Sequence, residues 1–135
     1  MRVNFRRLIS LLVLALGIIN SILAKETICI RTFPRIPEIE IDQTPLRLVI
    51  EFLNRKSFEL DEREADRERK GLHIRVDTTT LTRNDLEKNV SLAGVNISFQ
   101  AVFDKITRQT GIAFVVFPDH ILVTSIAHAR KLKVQ

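Results

Sequence analysis

The chain has 135 residues, 45% of them hydrophobic and 27% charged, a balance that fits one globular domain and excludes a disordered polyelectrolyte. Its net charge of +5 belongs to the ends: Arg2, Arg6 and Arg7 open the chain and Arg130, Lys131 and Lys133 close it, which leaves the interior with one acidic residue in excess. That distribution excludes a basic nucleic-acid-binding core, and with no Trp, no Tyr, one Cys and three His the chain holds few of the side chains that catalysis and metal binding use.

Residues 1–24 (MRVNFRRLISLLVLALGIINSILA) place a basic stretch, an apolar run from Leu8 to Ile19 and a small residue, Ala24, in the order of a secretory signal peptide cleaved between Ala24 and Lys25. The run is 12 residues long, short of the roughly 20 that span a bilayer. The alternatives are an uncleaved, single-pass anchor facing the periplasm and, less favoured, a buried core helix. Residues 25–35 form an N-terminal extension. Its Cys29 follows Glu26-Thr27-Ile28, which are not the small residues that precede a lipid-modified cysteine, and it has no internal disulfide partner.

From residue 36 the apolar pattern alternates between periods. Ile36 to Ile41 puts Ile39 and Ile41 on one face and Glu38 and Glu40 on the other, a half-buried strand. Thr44 reads as an N-cap and Pro45 as the first helical residue, and Leu46, Val49, Ile50 and Leu53 predict an amphipathic helix over 45–57. Glu59 to Lys70 holds six acidic and four basic residues. It is read as a solvated linker or a charged extension of the helix, with Glu59 and Arg63 at i,i+4 favouring some helix and a binding epitope as the lesser reading.

Gly71 stops that stretch. Leu72 to Val76 predicts a second strand with His73 and Arg75 outward, and Asp77 to Thr80 with Arg83 to Lys88 a polar connection. Val90-Ser91-Leu92 opens a third strand running to Val95. Ser98 caps a second helix with the stripe Phe99, Val102, Phe103 and Ile106, and Gly111 ends it. Ile112 to Phe117 and His120 to Thr124 form a hairpin around Pro118-Asp119, and 126–135 is a short basic tail. The tail is expected to be dispensable for folding and to carry affinity for anionic surfaces. These elements predict an α+β, two-layer domain with two helices on one mixed sheet, in the order strand, helix, strand, strand, helix, strand, strand. Its expected core is Ile39, Ile41, Val49, Ile50, Leu53, Ile74, Val76, Leu92, Phe99, Val102, Phe103, Ile106, Phe114, Val116 and Leu122.

The succession IPEIEIDQTPLRLVIEFL, LHIRVD, NVSLAGVNISFQAVFDKITRQTGIAFVV and HILVTS resembles the short N-terminal domain of secretins and TonB-dependent receptors over residues 36–125. The features that carry it are a strand ending in a polar turn before helix one, and Asn96-Ile97-Ser98-Phe99 running into helix two. The resemblance implies a small α+β module in the periplasm whose relatives contact other proteins. Glu59 to Lys70 makes the first helix-to-strand connection longer than the family pattern, and no outer-membrane barrel or secretin core follows in this sequence.

Chemical signatures point elsewhere than catalysis. His73, His120 and His128 lack neighbours at zinc-ligand spacing and read as surface residues; no HExxH, GxSxG, P-loop or GxGxxG occurs. Asn89-Val90-Ser91 and Asn96-Ile97-Ser98 match the glycosylation sequon but fall in predicted ordered structure. The expectation is therefore a non-enzymatic, exported protein-interaction module with no catalytic, cofactor-binding or metal-binding residue assigned. It would be a component of, or partner to, an outer-membrane secretion, transport or signalling assembly. The alternatives are a self-associating envelope scaffold and a membrane-anchored domain. Its partner is a protein of the cell envelope or a second copy, without nucleic acid, and the membrane is met only through an uncleaved N-terminal segment.

Overall fold

The computed structural model describes residues 33–62 and 64–134. Nine elements follow one another: β1 (Ile36–Pro45), α1 (Leu46–Leu60), β2 (Ile74–Val76), α2 (Arg83–Leu86), β3 (Asn89–Ile97), α3 (Phe99–Thr110), β4 (Ile112–Val116), β5 (Ile121–Ser125) and α4 (Ile126–Val134). The α+β, two-layer class is as expected, and the order of its five strands and two long helices is the expected order. Two details differ. The strands divide into an antiparallel pair, β1–β3, and a mixed three-stranded sheet, β2–β5–β4, rather than forming one sheet. Two short helices, α2 and α4, join the two long ones.

Helix α1 buries Leu46, Val49, Ile50 and Leu53, the predicted stripe. Its start differs from the expectation. Pro45 remains in β1, opposite Asn89, and takes the cap position without a side-chain cap, so Thr44 is no N-cap; its hydroxyl donates to the Asp42 carbonyl. The first helical amide, Leu46 N–H, donates instead to the Lys88 carbonyl of the neighbouring chain segment at 2.9 Å. A tertiary partner thus does the work of a cap.

Helix α3 follows its local code closely. Ser98 Oγ accepts from Ala101 N–H at 3.1 Å, and Gly111 closes the helix with φ +70°, a conformation in which a Cβ would be strained. Phe99, Val102, Phe103 and Ile106 are buried. Four rings form a row from Phe33 through Phe99 and Phe103 to Phe114, the last pair stacked at 4.5 Å. This row fixes β4 to α3.

The core matches expectation on both long helices and departs from it on the hairpin. Val116 is 39% exposed and Leu122 only half-buried, whereas Ile121 and Val123 are fully buried. As the central strand, β5 is covered on both faces: Thr124, on the face opposite Val123, is also buried. Alternation alone cannot orient such a strand. Ile41, Val76 and Phe114 are half-buried and pack at the core's margin, and Ile36, Leu72, Leu81, Val90 and Ile112 complete its centre.

The polar connection after β2 contains α2, opened by a capping box in which Thr82 and Asp85 exchange backbone and side-chain bonds. Residues 126–134, read as a tail, are helical, and Ala129 is 5% exposed in the described residues. Since α4 lies against β4 and β5, it is part of the packed unit, and its removal would uncover apolar surface. Glu59 and Leu60 extend α1, and the described remainder of the charged stretch up to Lys70 is loop; Arg63, the partner expected for Glu59, lies outside the described residues.

Candidate functional site

Two small sheets have four edges, and an unpaired edge is a template for another chain. Three of these four are managed by identifiable side chains.

The outer edge of β2 is closed by α1. Asn54 Oδ1 accepts from Ile74 N–H at 2.7 Å and Asn54 Nδ2 donates to the Ile74 carbonyl at 3.0 Å, so one carboxamide imitates a neighbouring strand. One turn on, Ser57 Oγ accepts from Leu72 N–H at 3.0 Å. Gly71, φ +87°, lets the chain pass close enough: a Cβ there would stand 3.0 Å from Ser57 Oγ and 3.2 Å from the Phe58 nitrogen.

Helix α3 repeats the device on β3. Gln109 Oε1 accepts from Ser91 N–H at 2.8 Å, Gln109 Nε2 donates to the Ser91 carbonyl at 2.7 Å, and Lys105 Nζ donates to the Ala93 carbonyl at 3.3 Å. Because Ser91 turns its backbone outward, Leu92 and Gly94 turn theirs toward Ile41 and Ile39. The outward backbone groups of β1 are then those of Glu38 and Glu40, whose side chains are exposed and negatively charged, a guard against pairing. Pro37 has no N–H to offer its opposite number, Asn96, and Arg35 Nε donates to that carbonyl at 2.8 Å.

Among the described residues the outer edge of β4 has no such device. Phe117 N–H donates to the His120 carbonyl at the Pro118-Asp119 turn, so Val115 and Ala113 pair with Leu122 and Thr124. The backbone groups of Ile112, Phe114 and Val116 therefore point to the outer edge. Ile112 N–H is taken by Thr110 Oγ1 at 3.2 Å; the backbone groups of Phe114 and Val116 have no hydrogen-bond partner among the described residues. The strand reads IAFVV, without a charge or a proline.

A polar cluster joins β2, β5 and α4 behind this sheet. The Asp77 carboxylate accepts from Thr79 N–H and Thr79 Oγ1 through Oδ1, and from Thr80 and Thr124 hydroxyls through Oδ2; His128 Nε2 lies 3.8 Å away. The Thr79 hydroxyl is the chief cause that lowers its pKa from the ordinary 3.8 to about 2, burial opposing it and the other donors adding to it. A carboxyl with a depressed folded value stabilises the fold above its unfolded value and loses that contribution as pH falls from about 4 to about 2. Asp77→Asn is accordingly expected to be less stable than wild type at neutral pH. Urea unfolding followed between neutral pH and about pH 2 should show the gap narrowing with acid; a gap constant across that window would detach the cluster from stability.

The other residues singled out in the sequence fall in separate places. Ala24, Lys25 and Cys29 lie outside the described residues. His73 follows Leu72 with φ +50°, and its carbonyl accepts from Ile121 N–H. His120 stacks on Phe117 at 4.8 Å and bonds Asp119 at 2.7 Å, which holds the Asp119 carboxyl below its ordinary range. His128 begins α4's contact with Asp77. Both sequon asparagines are in β3, with Ser91 and Ser98 engaged by the fold. Among the described residues no three His, Cys, Asp or Glu side chains could together hold a metal ion, and no helix is long and apolar enough to cross a membrane.

Sequence reasoning missed Asn54 and Gln109, which sit beside the apolar stripes. A signal existed at Ser57 and Thr110, each four residues beyond the last apolar stripe position, where a buried hydroxyl bonds the amide of the returning chain. No protein-family model, no curated protein and no solved structure matches the chain.

Proposed function

We propose that this chain is a protein-interaction module of the cell envelope that takes up an extended, uncharged segment of a partner by strand addition along β4. The carrying observation is the contrast among edges: β2 and β3 are sealed by carboxamides, β1 is guarded by glutamates, and the Phe114 and Val116 backbone groups of β4 stand outward without a charge beside them. An added strand gains main-chain hydrogen bonds there, and its side chains gain an apolar ledge at Val116, while Phe103 behind Phe114 keeps the edge rigid. The order of elements over residues 36–125 is that implied by the resemblance to the secretin and TonB-dependent receptor module, which supports a partner in an envelope assembly. The signal-like segment 1–24 supports export.

Val116→Lys tests the reading. It places a charge on an exposed edge position, so stability should move by no more than about 0.5 kcal/mol while partner affinity falls roughly tenfold or more. The measurement is recovery of envelope proteins on immobilised wild-type and variant chains, with hydrogen exchange at the Phe114 and Val116 amides in the recovered complex. Protection of those amides, lost in the variant, supports the proposal. Equal recovery by both chains would remove β4 from it. If the protected partner is a second copy, the self-associating scaffold replaces the heterologous assembly.

A further inference from the structure

Three of the six carboxylates between Glu59 and Lys70 turn back onto backbone amides: Glu64 Oε1 accepts from Asp66 N–H, Asp66 Oδ1 from Glu68 N–H, and Asp61 Oδ2 from Gly71 N–H, at 2.9–3.0 Å. Asp66 also holds Arg69 at 3.8 Å. Arg67 and Lys70 from the loop and His73 and Arg75 from the β2 segment line an open cavity of about 330 Å³ against the last turns of α1, and among the described residues none that lines it is acidic. Arg67, Lys70 and Arg75 make no ion pair among the described residues.

Cations gather near a helix C-terminus because its carbonyls attract them, but none of these three donates a hydrogen bond to the end of α1 among the described residues. Lys70 instead rests its ammonium 4.9 Å from the centroid of the Phe58 ring, on the cavity wall. Guanidinium forks match the oxygens of a phosphate, and a lysine adds a point charge. The volume sits at the small end of ligand cavities, enough for a single headgroup rather than a polymer.

We propose that this cleft binds a phosphate group, carried either by a small soluble phosphomonoester or by a phospholipid headgroup, with Arg67, Lys70 and Arg75 as the donors. The site is separate from the β4 edge and stands or falls independently of it.

The test uses the full chain, isotopically labelled, titrated with inorganic phosphate at constant ionic strength while the Gly71 and Arg75 amides are followed. Saturable shifts are expected. The combined variant Arg67→Gln, Lys70→Gln, Arg75→Gln should weaken binding about a thousandfold, since each lost charge-assisted contact is worth roughly tenfold. Arg75→Gln alone provides a milder variant, and a dispersed amide spectrum verifies that each is folded. The variant Arg130→Gln, Lys131→Gln, Lys133→Gln should leave binding unchanged. In a second arm, phosphatidylglycerol vesicles are compared with phosphatidylcholine vesicles. Preference for the former that the cleft variant abolishes assigns the phosphate to a lipid headgroup; phosphate binding without that preference assigns it to a soluble ligand. Absence of both responses, equal binding by the cleft variant, or loss of inorganic phosphate binding in the α4 variant would overturn the proposal.

Discussion

Val102→Asp is expected to unfold the domain at ambient temperature. Val102 has no exposed surface and sits one turn into α3 among Phe99, Phe103 and Ile106, the residues that fasten α3 to the sheets. A carboxylate there must either remain charged without a partner, at a cost of several kcal/mol, or take up a proton and still lack hydrogen bonds. The expected loss of about 4–5 kcal/mol or more is comparable to the whole stability of a small domain, about 5–15 kcal/mol. Thermal melting by circular dichroism reads it directly. A wild-type melting curve would mean that α3 does not pack through this face.

Asn54→Leu should come second in size, and its comparison with Gln109→Leu isolates the reason. Each wild-type side chain makes the same pair of bonds to one residue of an edge strand. They differ in surroundings: the Asn54–Ile74 bonds are part-buried, the Gln109–Ser91 bonds exposed. Leucine at 54 leaves an N–H and a carbonyl with restricted access to water, each costing about 1–3 kcal/mol, so a total of about 2–6 kcal/mol is expected. Water replaces the lost partner at Ser91, and Gln109→Leu should cost less than about 1 kcal/mol. Urea denaturation of both variants decides the matter. Similar losses would show that the strand-mimicking bonds contribute through geometry and not through desolvation. Asn54→Leu also uncovers the β2 edge, so light scattering should reveal concentration-dependent association that wild type lacks.

Local chemistry was readable from the sequence wherever a bond closes within a few residues. Ser98, Gly111, both apolar stripes and the two-residue turn at Pro118-Asp119 are of this kind. The start of α1 was not, because its first amide is satisfied by Lys88, 42 positions away, instead of by Thr44. Orientation on β5 failed for a related reason: a strand covered on both faces carries no alternation, so Leu122 looked as eligible as Ile121 and Val123. The edge-closing carboxamides were illegible in principle. Asn54 and Gln109 acquire meaning only once it is known which strands are outermost, and that is a property of the whole sheet order. The same holds for β4, whose uncharged sequence reads as ordinary core until its outer side proves unpaired among the described residues.

Strand pairing also dictates the order in which the chain can fold. Both strands of the first half depend on the second: β1 pairs with β3, and β2 with β5. A chain emerging amino-terminus first from a ribosome or a membrane channel therefore has no sheet available to it until residues beyond 88 have arrived. The β4–β5 hairpin, closed by a two-residue turn, is the local pairing and the natural first structure, whereas Ile36 must find Ile97 across some 60 residues. Commitment to the native topology comes late and all at once, and a polypeptide cut after α2 would have two strands with nothing to pair them.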